Sequence, residues 1–197
     1  MTLKERIIEE SLELFRKQGI RHTTMDDIAK HIGISKRTIY ENFDDKEHLL
    51  IDALNFAFIE NKKFIEETFL KTENVLEAVV KIVKAGSEQH RKQFNLIEEI
   101  RKYYNNIYKD MLLCNESNKL KDMEHLVLTG INQGVFRHDI NPEIIAYVFV
   151  KQSEGLLLQD ESLDGFSRVD MFKNMVISFI RGLCTPKGME ILDNLDN

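Results

Sequence analysis

Residues Thr23 to Lys46, TTMDDIAKHIGISKRTIYENFDDK, constrain the fold of this chain more than any other stretch. They read as two short helices around a tight turn, then the capped start of a third. The first helix falls at Met25–Ile32, the turn at Gly33-Ile34-Ser35, and the second helix from Lys36 to about Phe43. Ile28, Ala29, Ile32, Ile34, Ile39 and Phe43 are spaced to form one small shared core. Gly33 stands where the chain must turn sharply, a place where a positive φ excludes most side chains. Ser35 is a good N-cap for the second helix. That helix then exposes Lys36, Arg37, Thr38, Tyr40, Glu41 and Asn42, groups suited to phosphates and base edges. This is the pattern of a helix-turn-helix whose second helix enters the major groove.

The remainder of the chain is helical by the same signals. Two prolines and nine glycines in 197 residues leave few breakers, and alternating valine, threonine and aromatic runs are absent. A leading amphipathic helix is placed at about Leu3–Gln18, ended by Gly19. A long helix runs from Lys46 to about Leu70, so its first turns lie on the helix-turn-helix unit and its later turns on the C-terminal part of the chain. Further helices are expected at Val75 to about Arg91, Phe94–Tyr104, Ile107 to about Gly134 with a weak point at 115–119, Pro142 to about Gln159, and about Val169–Leu183. The acidic tail after Pro186 reads as loose.

Composition bounds the chemistry. A hydrophobic share of 43% is ordinary for a globular domain, and a net charge of -6 argues against coating nucleic acid indiscriminately. The charge is uneven: residues 1–50 hold nine Lys and Arg against ten Asp and Glu, and Lys30 to Tyr40 holds three cations and no acid. Cys114 and Cys184 lie far apart without a CxxC pair, which suits two reduced thiols and gives no metal site. The start of the chain is charged and amphipathic rather than continuously apolar, and no apolar run approaches the roughly 20 residues that span a bilayer. The expectation is a cytoplasmic protein that does not act at a membrane.

With LFRKQG in the leading helix and TTMDDIAKHIGISKRTIYENFDDKEHLL after it, the first 55 or so residues resemble the N-terminal domain of the TetR family of transcriptional regulators. The resemblance implies an all-α fold of about nine helices. A three-helix head over 1–48 is joined by a long fourth helix to a divergent C-terminal domain over 49–197, which binds an effector and dimerises. It further implies a homodimer formed through the last two helices, about 142–160 and 167–184. Its partners are a double-stranded DNA operator and a small-molecule effector. No cofactor is expected, and the usual outcome is a repressor released from a palindromic operator.

The resemblance carries DNA contact onto Thr24, Thr38, Tyr40 and Lys46, whose hydroxyls and ammonium suit phosphate oxygens and so set register rather than sequence. Lys36 and Arg37 are the candidates for guanine, and Asn42 for adenine; Glu41 either accepts from cytosine or faces water. Each head is weakly charged, so useful affinity requires two heads reaching half-sites roughly 34–36 Å apart or a multiple of that. In the C-terminal half the resemblance makes Phe94, Glu98, Tyr103, Tyr104, Phe149 and Gln152 candidates for an effector cavity, although ordinary packing explains such residues as well. An enzyme is disfavoured, because GxSxG, HExxH and phosphate-binding glycine loops are all missing. A helical interaction protein that has lost DNA binding is the other alternative.

Overall fold

The chain is all helical, as expected. The computed structural model describes residues 1–158 and 166–196, with side chains for all of these but 86–95, 111–116, 157–158, 168 and 196. The helices are α1 (Leu3–Gln18), α2 (Met25–Ile32), α3 (Lys36–Tyr40), α4 (Lys46–Leu70), α5 (Val75–Tyr103), α6 (Asn105–Asn132), α7 (Pro142–Leu158), α8 (Arg168–Leu183) and α9 (Pro186–Asp196).

Three of these, α3, α5 and α9, differ from the sequence reading. The expected break at Arg91 to Phe94 does not occur, and α5 runs through it; α6 is the single helix expected, unbroken across its weak point at 115–119. Lys92 and Gln93 are strong helix formers. Asn115, Ser117 and Asn118 each cost only a few tenths of a kcal/mol, which the hydrogen-bond ladder on either side offsets. The third difference is the tail, which is α9. Met189, Leu192 and Leu195 recur every three residues, and Leu192 is fully buried with the other two packed beside it. Gln159, the expected end of α7, lies outside the described residues.

The chain divides into two compact units, Met1–Glu66 with Lys92–Tyr108, and Glu67–Arg91 with Lys109–Asn197. In the first, α1 to α3 and the start of α4 bury Ile7, Phe15, Ile20, Ile28, Ile39, Leu49 and Leu50. The unit that holds the helix-turn-helix thus also takes in the last part of α5, from Lys92 to Tyr103. In the second, Val75, Leu76, Val79 and Val80 of α5 share a core with Val176, Ile180 and Leu183 of α8 and with Leu192. A smaller cluster joins Met123 and Val127 of α6 to Ala146 and Val150 of α7.

The connector between α6 and α7 is stitched to the α8–α9 junction. Phe136 and Cys184 form an antiparallel bridge, the Arg137 amide donates to the Leu183 carbonyl at 2.9 Å, and the Thr185 amide donates to the Val135 carbonyl at 2.9 Å. Among the described residues, no helix is long and apolar enough to cross a membrane.

Candidate nucleic-acid interface

The helix-turn-helix is set by its caps. The Thr24 hydroxyl accepts from the Asp27 amide at 3.1 Å while the Asp27 carboxylate accepts from the Thr24 amide at 2.9 Å, a reciprocal capping box at the start of α2. The same hydroxyl donates to Asp27 at 2.6 Å, and these bonds hold the Asp27 carboxyl below its ordinary pKa. Gly33 ends α2 in the left-handed region at φ 77° and ψ 35°. A Cβ built there would meet nothing within 4 Å, so conformation alone demands glycine. Gly33→Ala is therefore expected to cost about 1–2 kcal/mol of stability, read by denaturant titration. A smaller loss is expected for Gly33→Asn.

Ser35 caps α3, accepting from the Thr38 amide at 3.1 Å. The helix is shorter than the sequence reading, ending at Tyr40 rather than near Phe43. Asn42 supplies the reason. Its side-chain amide donates to the Thr38 carbonyl at 2.8 Å, and its backbone amide turns to Ile39 at 3.0 Å. In this conformation the Asn42 side chain caps its own helix.

The two candidate base readers project from α3 with acidic partners. Lys36 Nζ lies 2.9 Å from Asp26 Oδ2 on α2, and that contact raises the lysine's pKa. Arg37 Nε lies 3.0 Å from Glu41 Oε1, one turn along. Arg37 is 88% exposed, so this pairing is loose and leaves the terminal guanidinium nitrogens toward solvent. Tyr40 is 47% exposed. The Thr38 hydroxyl lies 2.8 Å from that of Ser35. Lys36, Arg37, Thr38 and Tyr40 therefore come together on one short helix. Thr24 sits at the start of α2, with its hydroxyl committed to the cap.

Lys46 is placed differently from a simple phosphate ligand. Its Nζ donates to the carbonyls of Ile20 at 3.0 Å and Thr23 at 3.2 Å, tying the first residue of α4 to the α1–α2 turn. That role was not visible in the sequence, because it depends on where a turn 23 residues upstream comes to lie.

The candidate effector residues do not assemble within one unit. Glu98, Tyr103 and Tyr104 belong to the first and Phe149 and Gln152 to the second; the Phe94 side chain lies outside the described residues. The Tyr103 ring is covered by the Arg21 guanidinium, 4.3 Å from its centroid, and the phenol's pKa is lowered by hydrogen bonding to Lys102 and Arg21. Burial raises that of the half-buried Tyr104, with Glu47 and Glu99 acting the same way. Phe149 packs on Phe179 with centroids 5.2 Å apart, a core contact, and Gln152 is exposed. A shallow groove in the second unit, about 250 Å³, is lined instead by Val80, Val83, Lys84, Lys173, Asn174 and Ile177. It is smaller than the roughly 300–1,000 Å³ of ordinary small-molecule sites.

Comparison with known proteins places this architecture. The family model for bacterial regulatory proteins of the tetR family matches residues 7–53, the segment that carries α1 to α3 and the start of α4. The uncharacterised HTH-type transcriptional regulator YerO of Bacillus subtilis is 33% identical over 158 residues, covering 73% of this chain and 52% of YerO. The chain thus spans about half the length of that relative. IcaR of Staphylococcus aureus, the HTH-type negative transcriptional regulator of the biofilm operon icaADBC, is 36% identical over 56 residues, which is 28% of this chain and 30% of IcaR. A solved transcriptional regulator from Cytophaga hutchinsonii shares the fold over 92% of this chain and 98% of its own, with a TM-score of 0.75 at 21% identity. A head built on these caps and helices, and matched by the family model, makes residues 7–53 a regulatory head of the TetR family of bacterial regulatory proteins, and the chain as a whole shares the helical fold of that solved regulator.

Proposed function

We propose that the protein is a homodimeric transcriptional repressor that binds a palindromic DNA operator through residues 1–48 and releases it when a small molecule binds within 49–197. The observation that carries the DNA-binding reading is the α3 surface, where Lys36, Arg37, Thr38 and Tyr40 project from a helix held by Ser35 and Gly33. Arg37 and Lys36 have the donors to read guanine, and Thr38 and Tyr40 the hydroxyls to hold phosphates. Repression is supported by the likeness of the head to IcaR. Control by a small molecule is supported by the family's division into a shared head and a divergent remainder. The enzymatic alternative falls away with the family of the head, and the protein works where chromosomal DNA is, in the cytoplasm.

Dimerisation is supported by α7. Ile144, Tyr147 and Val148 lie three and four residues apart and are 60%, 55% and 37% exposed, an apolar stripe without cover in a single chain. Its continuation with α8 gives the two helices of the interface. An Ile144→Glu/Val148→Glu variant is expected to sediment as a monomer and to bind a two-half-site duplex about a hundredfold more weakly. A dimer of unchanged mass would remove α7 from the interface. The function as a whole is tested by selecting duplexes from random sequence with the purified chain. A palindrome with half-sites about one helical turn apart is expected, and enrichment of no sequence at low salt would defeat the reading.

A further inference from the structure

The α1–α2 turn, Gly19 to Thr23, is held from α5. Glu99 Oε2 accepts from the Ile20 amide at 2.7 Å, and Glu99 Oε1 accepts from the Arg21 amide at 2.7 Å. One carboxylate thus satisfies two successive backbone donors from a residue 79 positions away. Charge-assisted bonds of this length are among the stronger ones a backbone can make. One helical turn further along α5, Tyr103 lies under the guanidinium of Arg21. Residues 99 and 103 therefore share a helix face, and both meet residues 20 and 21.

The approach is close enough to restrict the sequence of the turn. Gly19 has φ 84°, and a Cβ there would lie 2.9 Å from Glu99 Oε2. The acceptors of the same turn are taken from other sides. The Thr23 hydroxyl donates to the Gly19 carbonyl at 2.7 Å, and Lys46 takes the carbonyls of Ile20 and Thr23. The Ile20 and Thr23 side chains are fully buried. A turn pinned at its amides by α5 and at its carbonyls by α4 has little freedom of its own. The next residue, Thr24, caps α2, and α2 is fixed to the recognition helix by Gly33 and Ser35.

We propose that Glu99 is a positioning residue for DNA binding: its carboxylate carries the position of α5 directly into the α1–α2 turn and so sets the placement of α2 and α3. This rests on the reading of the head as a DNA-binding module. It provides a second connection from the C-terminal part of the chain to the head, separate from the covalent one along α4. By linkage, whatever α5 does to the head, DNA bound to the head must do to α5.

That reciprocity allows a test without knowledge of the effector. The full chain and its Glu99→Ala and Glu99→Gln variants are compared by backbone amide hydrogen exchange, free and bound to a duplex selected from random sequence by the unsubstituted chain. In the unsubstituted chain, DNA is expected to slow exchange in α5 residues 96–103. In Glu99→Ala, exchange at Ile20 and Arg21 rises at least tenfold, DNA affinity falls at least tenfold, and the response of 96–103 to DNA disappears while cooperative unfolding is retained. Glu99→Gln, which keeps one acceptor oxygen, lies between. Unchanged exchange at Ile20 and Arg21, or DNA binding that leaves 96–103 untouched in the unsubstituted chain, overturns the proposal alone. Loss of the fold in both variants also overturns it, by making Glu99 a folding residue. Failure of the unsubstituted chain to bind any duplex overturns the DNA-binding reading itself, and the proposal with it.

Discussion

Replacing Lys36 and Arg37 together with alanine is expected to weaken binding to the selected duplex at least a hundredfold while leaving the unfolding transition in place. Both side chains are exposed and neither packs in the core, so their removal takes nothing from the buried interior. Each good bidentate contact to a guanine edge is worth about a factor of ten or more in discrimination. Single variants separate their roles. Arg37→Ala should erase the preference at one base position per half-site, whereas loss of a phosphate contact would weaken all sequences alike and lower the salt dependence. The acidic partners sharpen the expectation. Asp26 and Glu41 compete with DNA for the same cations, so Asp26→Asn should tighten binding to every duplex, most at low salt. Equal affinity in the double variant, measured by titration of labelled duplex, would remove α3 as the reading element.

The largest effect on stability is expected at Phe136. Its side chain is 1% exposed and sits in the core of the second unit with Val135 and Leu183. Truncation of a buried Phe to Ala costs about 3–5 kcal/mol, the lost transfer energy plus the cavity left behind. The neighbourhood offers an internal check. A Cβ at Gly130 would lie 2.2 Å from the Phe136 ring, so Gly130→Ala alone should destabilise by about 1–3 kcal/mol through overpacking. In a chain that already carries Phe136→Ala, the added methyl has room, and the second change should cost much less. Denaturant midpoints of the four proteins in this cycle measure the coupling; additive losses would mean that the ring does not rest on Gly130.

The head was readable because its signals are local. Gly33 and Ser35 announce their roles within three or four residues, and the structure places each as a cap. The connector before α7 was equally plain, with Asn141 accepting from the amides of Glu143 and Ile144 ahead of the turn that Pro142 begins. What the sequence hid falls into two kinds. A break in α5 is inferred from the polar run before Phe94, but such residues do not end a helix whose flanks are packed. α9 was missed because its acidic residues masked a short apolar stripe that only the Val135 and Leu183 surroundings make useful. The second kind is long-range. That Asn42 folds back on Thr38, that Lys46 closes on Ile20, and that Glu99 meets the α1–α2 turn all depend on tertiary placement. Of the candidate effector residues, Phe149 shows the ambiguity of composition: an aromatic among apolar neighbours suits a cavity wall or a partner ring, and it packs on Phe179.

The bridge between Phe136 and Cys184 gives the second unit a built-in clock. The Cys184 thiol is buried at that seam, its Sγ 3.3 Å from the Ile180 carbonyl, and burial raises its pKa above the ordinary thiol value. At neutral pH it is held as the unreactive thiol, out of reach of solvent reagents. Its alkylation is expected to require opening of the seam between residues 135–137 and 183–185. The rate at which this sulfur is modified in the folded protein therefore measures how often the C-terminal seam breathes, a motion that equilibrium stability does not report.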